Sequence, residues 1–345
     1  IVALEAKTRT SMDELLADIH GFLLSNPAVL NLATRHENFR IRRGAFRTAY
    51  RLDEEQRVKF IKRALRDTDS LTRLIAAKQA ALLADVSLRN EFMHKMLSDR
   101  WHAVRSQALH MAVRDSGDAT TEILLKLLLD QSRTVRSAAR YYLRQLGVED
   151  FRSIYIDALP SDHKVAAILG LGECGVADDA KAIESYLESS NPGILGAAVT
   201  ATSRLLPNDS DNMLLTNLAH RHKAPSNAAA RQLRERVTPQ IQPRLVQIFE
   251  DVSLPFHVRF NALQLLDASS KWDTLIFWLR GSEDKELKIA EYCERRLRYW
   301  QFAFNRSFTE PSEPQIREIQ ALMARPSFGR MSIAPFLRYV MRSFR

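Results

Sequence analysis

Nine times between Ile41 and Leu287 the chain returns to one short arrangement: a mostly apolar anchor, in most units a cation directly after it, and in most units an alanine four residues on. The anchors are Ile41, Thr72, Val104, Val135, Val165, Ile194, Pro225, Val258 and Leu287, spaced by 31, 32, 31, 30, 29, 31, 33 and 29 residues. The cation is Arg42, Arg73, Arg105, Arg136 or Arg259, with Lys288 in the last unit, and the alanine is Ala45, Ala76, Ala108, Ala139, Ala198, Ala229 or Ala262. A period near thirty residues limits the fold severely. One unit is too short to close a core of its own, so it must bury its faces against its neighbours.

Apolar positions at 0, +4, +7 or +8, and +11 from each anchor fall on one side of a helix. Each such helix is preceded by another apolar stretch of helical length, as in "TEILLKLLL" (121–129) and "RLVQIFE" (244–250), and by a few turn-forming residues. The unit reads as helix, tight turn, second helix, and no alternating strand pattern competes with it. The expected fold class is all-α: an α-solenoid of about nine stacked helix-turn-helix repeats over residues 36–305. Capping helices are expected at both ends, over 1–35 and 306–345. At the first end Ser11 and Glu14 have the spacing of a capping box. At the second end the aromatic and cationic "FGRMSIAPFLRYVMRSFR" is read as a lid on the last repeat, with a membrane-surface or partner-binding helix as the alternative.

The arginine after the anchor is a misfit, because a cation in the first turn of a helix is unfavourable by about 0.3 to 1 kcal/mol. A compensating carboxylate is therefore expected, and Asp67, Asp99 and Asp130 stand five residues before their anchors. The resulting pattern D-x(4)-V-R-x-x-A, seen in "DRWHAVRSQA" and "DQSRTVRSAA", resembles the HEAT repeat in its short, HEAT-like form, over roughly residues 36–305. The resemblance implies a structural inter-repeat ladder of turn carboxylates and guanidinium groups, built from Asp67, Arg73, Asp99, Arg105, Asp130, Arg136 and Arg259. Bidentate, charge-assisted bonds suit that role. Three consecutive units lack the arginine and carry Ala166, Leu195 and Ser226 instead, and five of the eleven glycines fall between Gly170 and Gly196. That stretch is expected to be less rigid or more closely packed than its flanks.

In HEAT-like arrays the second helices line the concave face, which implies an outward row at +6: Arg47, Lys78, His110, Tyr141, Leu171, Thr200, Arg231, Gln264 and Cys293. With their neighbours Arg43 and Arg144, the binding candidates are Arg43, Arg47, Lys78, His110, Tyr141, Arg144 and Arg231. The net charge of +9 is uneven, with +7 between Arg35 and Arg66, +7 between Arg295 and Arg345, and −5 over the remainder. Basic ends suit an anionic partner: an acidic protein, a nucleic acid or a membrane surface.

Signatures of chemistry are sparse. "GLGECG" has G-x-G-x-x-G spacing but ends a helix rather than joining a strand to one. His36-Glu37 is the single His-Glu pair, where the HEAT-like deoxyhypusine hydroxylases carry several. HEAT-like alkylpurine DNA glycosylases use cleft tryptophans, and none of Trp101, Trp272, Trp278 and Trp300 occupies an outward second-helix position. No catalytic residue, metal, cofactor or small-molecule substrate is expected. No run of about 18 apolar residues is found. Cys174 and Cys293 lie about four repeats apart, which points to a reducing, cytoplasmic setting, and Ile1 leaves open an upstream signal, anchor or domain. The expected function is a non-enzymatic scaffold or adaptor for another macromolecule, a protein first. The alternative is a HEAT-like nucleic-acid-binding protein of the DNA glycosylase type.

Overall fold

The computed structural model describes residues 20–115 and 117–344, and every regular element among them is helical. The Ser11–Glu14 capping box lies outside the described residues. The described residues form two compact units, the first ending at Tyr155 and the second beginning at Ile156, a division within the repeat period that the sequence pattern does not announce. No helix of the described residues is long and apolar enough to cross a membrane.

In the first unit four helical hairpins follow one another: Pro27–Ala33 with Phe39–Ala49, Glu54–Ala64 with Ser70–Ala80, Val86–Leu97 with His102–Asp115, and Thr120–Leu128 with Arg133–Gln145. Each second helix packs on its own first helix, and each of the first three packs on the next second helix. The unit boundary falls within helix Phe151–Ala158. The second unit continues with Lys164–Cys174, an irregular first element over residues 177–188 leading to Pro192–Leu205, and three more hairpins. These are Asp211–Leu218 with Lys223–Leu233, Gln242–Glu250 with Phe256–Leu266, and Lys271–Gly281 with Leu287–Ala303. The architecture is an α-solenoid of helix-turn-helix repeats.

The alanines at +4 explain how the second helices approach one another, because Ala76, Ala108, Ala139, Ala198, Ala229 and Ala262 have no exposed surface at all. A larger side chain there would hold the stacked helices apart. The anchors Thr72, Val104, Val135 and Val258 are equally inaccessible. Between them run Phe46, Leu109, Leu143 and Leu263, and each fully buried side chain of this size stabilises by roughly 1.5 to 3 kcal/mol. The apolar seam therefore carries the fold, and the charged groups adjust it.

Two anchors are out of register in the sequence pattern, and a third, Ile41, is in register with Arg42 and Ala45 but 44% exposed. Leu287 is 67% exposed and Ile289 is fully buried, so the last repeat is registered on Ile289, 31 residues after Val258. Lys288, imitating the arginine, draws the pattern two residues too early. In the helix Lys164–Cys174 the buried position is Ala166, 31 residues after Val135, rather than Val165. These shifts explain why Leu171 and Cys293, expected to face outward, are fully buried. Burial also pushes the Cys293 thiol far above the ordinary thiol range.

The glycine-rich stretch is closely packed. In Pro192–Leu205 all residues from Leu195 to Ser203 are buried, Thr200 included, so the helix has no solvent-facing side there. A Cβ on Gly172 would lie 2.5 Å from Ala201 Cα, and one on Gly196 would lie 3.2 Å from the Ala224 carbonyl group. Glycine at 172 and 196 thus lets three consecutive second helices come together backbone to side chain.

After the last hairpin, Glu313–Met323 packs on Lys271–Gly281. Phe328, Ile333, Ala334 and Leu337, at and before the helix Ala334–Val340, join the same core as Trp272 and Trp300. Three rings surround Lys271, whose Nζ lies 3.8 Å from the Phe304 centroid and donates to the Phe304 and Ser307 carbonyls at 2.8 and 2.7 Å. Burial lowers its pKa. This lysine satisfies carbonyls that the helix Leu287–Ala303 and the 3-10 turn after it leave without an intrahelical donor.

Candidate interaction surface

The arginines that follow the anchors point across the repeat boundary. Arg42 reaches Asp67 with Nε and Nη2 at 2.8 Å each, Arg73 reaches Asp99 at 2.7 and 3.1 Å, and Arg105 reaches Asp130 at 2.6 and 2.7 Å. Arg259 also pairs with Asp284, but through Nη1 and Nη2, while its Nε donates to the Phe249 carbonyl at 2.9 Å. The remaining nitrogen, Nη1, turns back to the turn of its own hairpin, from Arg73 to the Asp67 carbonyl, from Arg105 to the Asp99 carbonyl and from Arg136 to the Asp130 carbonyl. Each such aspartate is therefore held twice, by its backbone oxygen in one repeat and by its carboxylate from the repeat before. It also accepts the backbone N–H two residues on, as Asp99 does from Trp101 and Asp130 from Ser132, both at 2.7 Å. Burial alone would raise the pKa of Asp67, but its bonds from Arg42 and from the Asp69 N–H hold the carboxyl below its usual range. The first-turn cation is thereby compensated by the carboxylate at the start of the next second helix.

Two rungs lie outside the sequence reading. Asp284 stands five residues before the corrected anchor Ile289 and becomes legible once the register is moved. Arg89, on a first helix, pairs with Asp115 at 2.9 Å through both nitrogens and donates Nη1 to the Leu83 carbonyl. Its separation of 26 residues from Asp115 equals that of Arg73 from Asp99 and was the available signal. Arg114 and then Arg89 hold the Asp115 carboxyl far below the ordinary range.

The binding candidates separate into two kinds. Arg43 is turned inward: it forms a bidentate pair with Asp69 at 2.9 to 3.2 Å, so its charge is compensated inside the fold. Arg47, Lys78, His110, Tyr141 and Arg144 are exposed on successive second helices of the first unit. Among the described residues Arg47 and Lys78 meet no carboxylate. His110 Nδ1 lies 3.2 Å from the Tyr142 hydroxyl, Tyr142 stands edge-on to Tyr141, and the Arg144 guanidinium lies over the Phe151 ring at 5.2 Å. In the second unit exposed Arg231 lines an open groove of about 350 Å³ with Asn227, Arg234, Asn261 and Gln264, between the helices Lys223–Leu233 and Phe256–Leu266.

Three tryptophans are committed to the core. Trp272, Trp278 and Trp300 are buried and donate their indole N–H groups to the Thr309 carbonyl, Asp267 and the Lys271 carbonyl. Among the described residues no group of three metal-ligating side chains is gathered.

No protein-family model matches the chain, and no curated protein sequence does. Among solved structures it is similar to E. coli YibA, at 15% identity and a TM-score of 0.31, over 82% of this chain and 96% of that one. It is also similar to a chain from a structure of the Pds5–Scc1 complex, at 13% identity and a TM-score of 0.38, over 91% of this chain and 63% of that one. Both likenesses are remote. The repeat architecture rests on the hairpins themselves.

Proposed function

We propose that this chain is a non-enzymatic scaffold that binds a protein segment on the outward faces of its second helices. The observation that carries the reading is the contrast between two sets of cations. Arginines at the repeat junctions are compensated by carboxylates, whereas Arg47 and Lys78 stand exposed and uncompensated among the described residues, in sequence with His110, Tyr141 and Arg144. Tyrosine and arginine on a rigid surface are the side chains that concentrate binding energy at protein interfaces. Carboxamides at Asn227, Asn261 and Gln264 offer donors and acceptors together, which suits the main chain of an extended peptide in the second groove.

Nucleic acid is the second reading, favoured by the net charge of +9. It is weakened by the commitment of Trp272, Trp278 and Trp300 to the core, which removes those rings as stacking platforms for unstacked bases. Quantitative affinity capture with the chain and with a variant carrying Arg47→Glu, Lys78→Glu and Tyr141→Ala tests the first reading. A protein partner retained by the parent and lost by the variant is expected. Equal recovery removes the surface from consideration. Binding to duplex DNA that falls steeply with salt, and is lost in the same variant, selects the second reading.

A further inference from the structure

The eleven cations between Arg35 and Arg66 are not equivalent. Arg42 and Arg43 are paired with Asp67 and Asp69. Four others converge on an open pocket of about 690 Å³ at the turn edge of the first two hairpins, where Arg35 faces Lys62, Arg63 and Arg66 of the next first helix and the turn after it; Lys59, bound loosely to Glu55 at 3.3 Å, completes the wall. Among the described residues Arg35, Lys62, Arg63 and Arg66 meet no carboxylate within ion-pair distance. Glu37 and Asp67 are the acids on the wall, and Asp67 already belongs to Arg42.

Arg63 is held in place by neutral oxygens. Its Nη1 donates to Asn31 Oδ1 at 2.6 Å and to Thr34 Oγ1 at 2.8 Å. These bonds fix the guanidinium without neutralising it, and burial together with the Arg35 charge lowers its pKa. Elsewhere in the first unit Arg42, Arg43, Arg73, Arg89 and Arg105 each have a carboxylate opposite them. Here a rigid, uncompensated cation is left facing a second one.

A second, apolar pocket of about 240 Å³ adjoins the first. Leu24, Leu30, Leu52 and Phe60 line it, and Lys59 and Arg63 belong to the walls of both. The volume suits one large aliphatic or aromatic side chain. We infer that this paired pocket is a docking site for an acidic segment of a partner protein, carrying several carboxylates beside one large apolar side chain. The juxtaposition selects peptide over nucleic acid, because a phosphate backbone satisfies the cations but offers nothing aliphatic to the neighbouring pocket. The site is separate from the second-helix row, since neither Arg47 nor Lys78 lines it, and it stands whether or not that row binds.

The test is a fluorescence-anisotropy titration of the full chain with a labelled Asp/Glu-rich peptide containing one central leucine. Binding in the micromolar range, weakening as salt is raised, is expected. Because Lys62 and Arg66 are exposed, the double variant Lys62→Glu, Arg66→Glu keeps its melting temperature and loses about tenfold or more in affinity. Replacing the leucine of the peptide by serine weakens binding to the parent chain, whereas Arg47→Glu with Lys78→Glu leaves it unchanged. Absence of binding, or equal binding by the parent and the Lys62, Arg66 variant, overturns the proposal. So does tighter binding of a single-stranded RNA or duplex DNA of matched charge that depends on Lys62 and Arg66, which would assign the pocket to a phosphate backbone. A variant that melts early is replaced by Arg35→Glu, which lies on the opposite wall and is exposed.

Discussion

Hairpins between Phe39 and Gln145 and hairpins between Lys164 and Leu233 solve one packing problem by different means. In the first region each junction has an arginine opposite an aspartate. In the second, the positions after the anchors hold Ala167 in the corrected register, Leu195 and Ser226, and the turn positions that would answer Ala167 and Leu195 hold Ser189 and His220 in place of aspartate. The turn itself is preserved: Ser189 Oγ accepts the Asn191 N–H at 3.2 Å, and His220 Nδ1 accepts the His222 N–H at 3.0 Å. Only the charge has gone, and it has gone from both sides of the junction together. A carboxylate left without its guanidinium in a half-buried turn would be costly, so paired loss is the outcome that electrostatics favours. Close approach takes over, through Gly172 against Ala201 and Gly196 against Ala224. Ser226, fully buried, donates to the Leu218 carbonyl at 2.8 Å, a neutral substitute for what Arg259 does with the Phe249 carbonyl in the next repeat.

The largest predicted effect is at a clasp. Asp130→Ala leaves the Arg105 guanidinium without its carboxylate and the Ser132 N–H without its acceptor, and should destabilise the first unit by about 3 to 5 kcal/mol in denaturant unfolding. In a double-mutant cycle the pair Arg105→Met, Asp130→Ala should recover part of that loss, and strict additivity would show that the two groups do not act as a unit.

Acid should separate the two regions next. The carboxyl groups of Asp67 and Asp115 are held below their ordinary range by arginines, so their stabilisation is fully present above the unfolded-state value near pH 4 and is lost as pH falls through the folded-state values. Hydrogen exchange at decreasing pH, corrected for intrinsic rates, should show residues 39–115 losing protection before residues 192–233. Simultaneous loss would dissolve the distinction drawn here.

Smaller still is Gly172→Ala, where the added Cβ falls 2.5 Å from Ala201 Cα and overpacking should cost about 1 to 3 kcal/mol against a gain in helix propensity of about 1 kcal/mol. A lower melting temperature, partly restored by Ala201→Gly, identifies close approach as the reason for the glycine. The smallest change belongs to the outward row. Arg47→Ala with Lys78→Ala should alter stability by no more than about 0.5 kcal/mol each, and a larger drop in melting temperature would mean that these cations serve the fold after all.

Much of the architecture is legible in the sequence because its period is enforced by contact. Val104, Val135 and Val258 lie in the same buried position of three hairpins, each with a fully buried alanine four residues on. The last repeat misleads because Lys288 resembles the arginine chemically, although the buried side chain is Ile289. Burial around the whole circumference of Pro192–Leu205 is hidden for a different reason: small residues such as Gly196, Ala197 and Ala201 are compatible with either an inner or an outer face. The charge run from Arg35 to Arg66 is visible, but which of its members find a carboxylate depends on residues a full repeat away. Arg43 and Arg63 look alike in sequence, and only the positions of Asp69 and Asn31 distinguish them.

One property of the clasp extends beyond any single junction. From Arg42 to Asp130 its two halves, a guanidinium at the head of one hairpin and an aspartate in the turn of the next, have the same form at each junction, so the connector carries no record of which neighbours it joins. Within that stretch, excision or duplication of a whole period leaves every surviving arginine with a carbonyl behind it and a carboxylate ahead. A gene encoding such a chain is free to lengthen or shorten by entire modules, and the size of the surface it presents becomes adjustable without redesigning any joint.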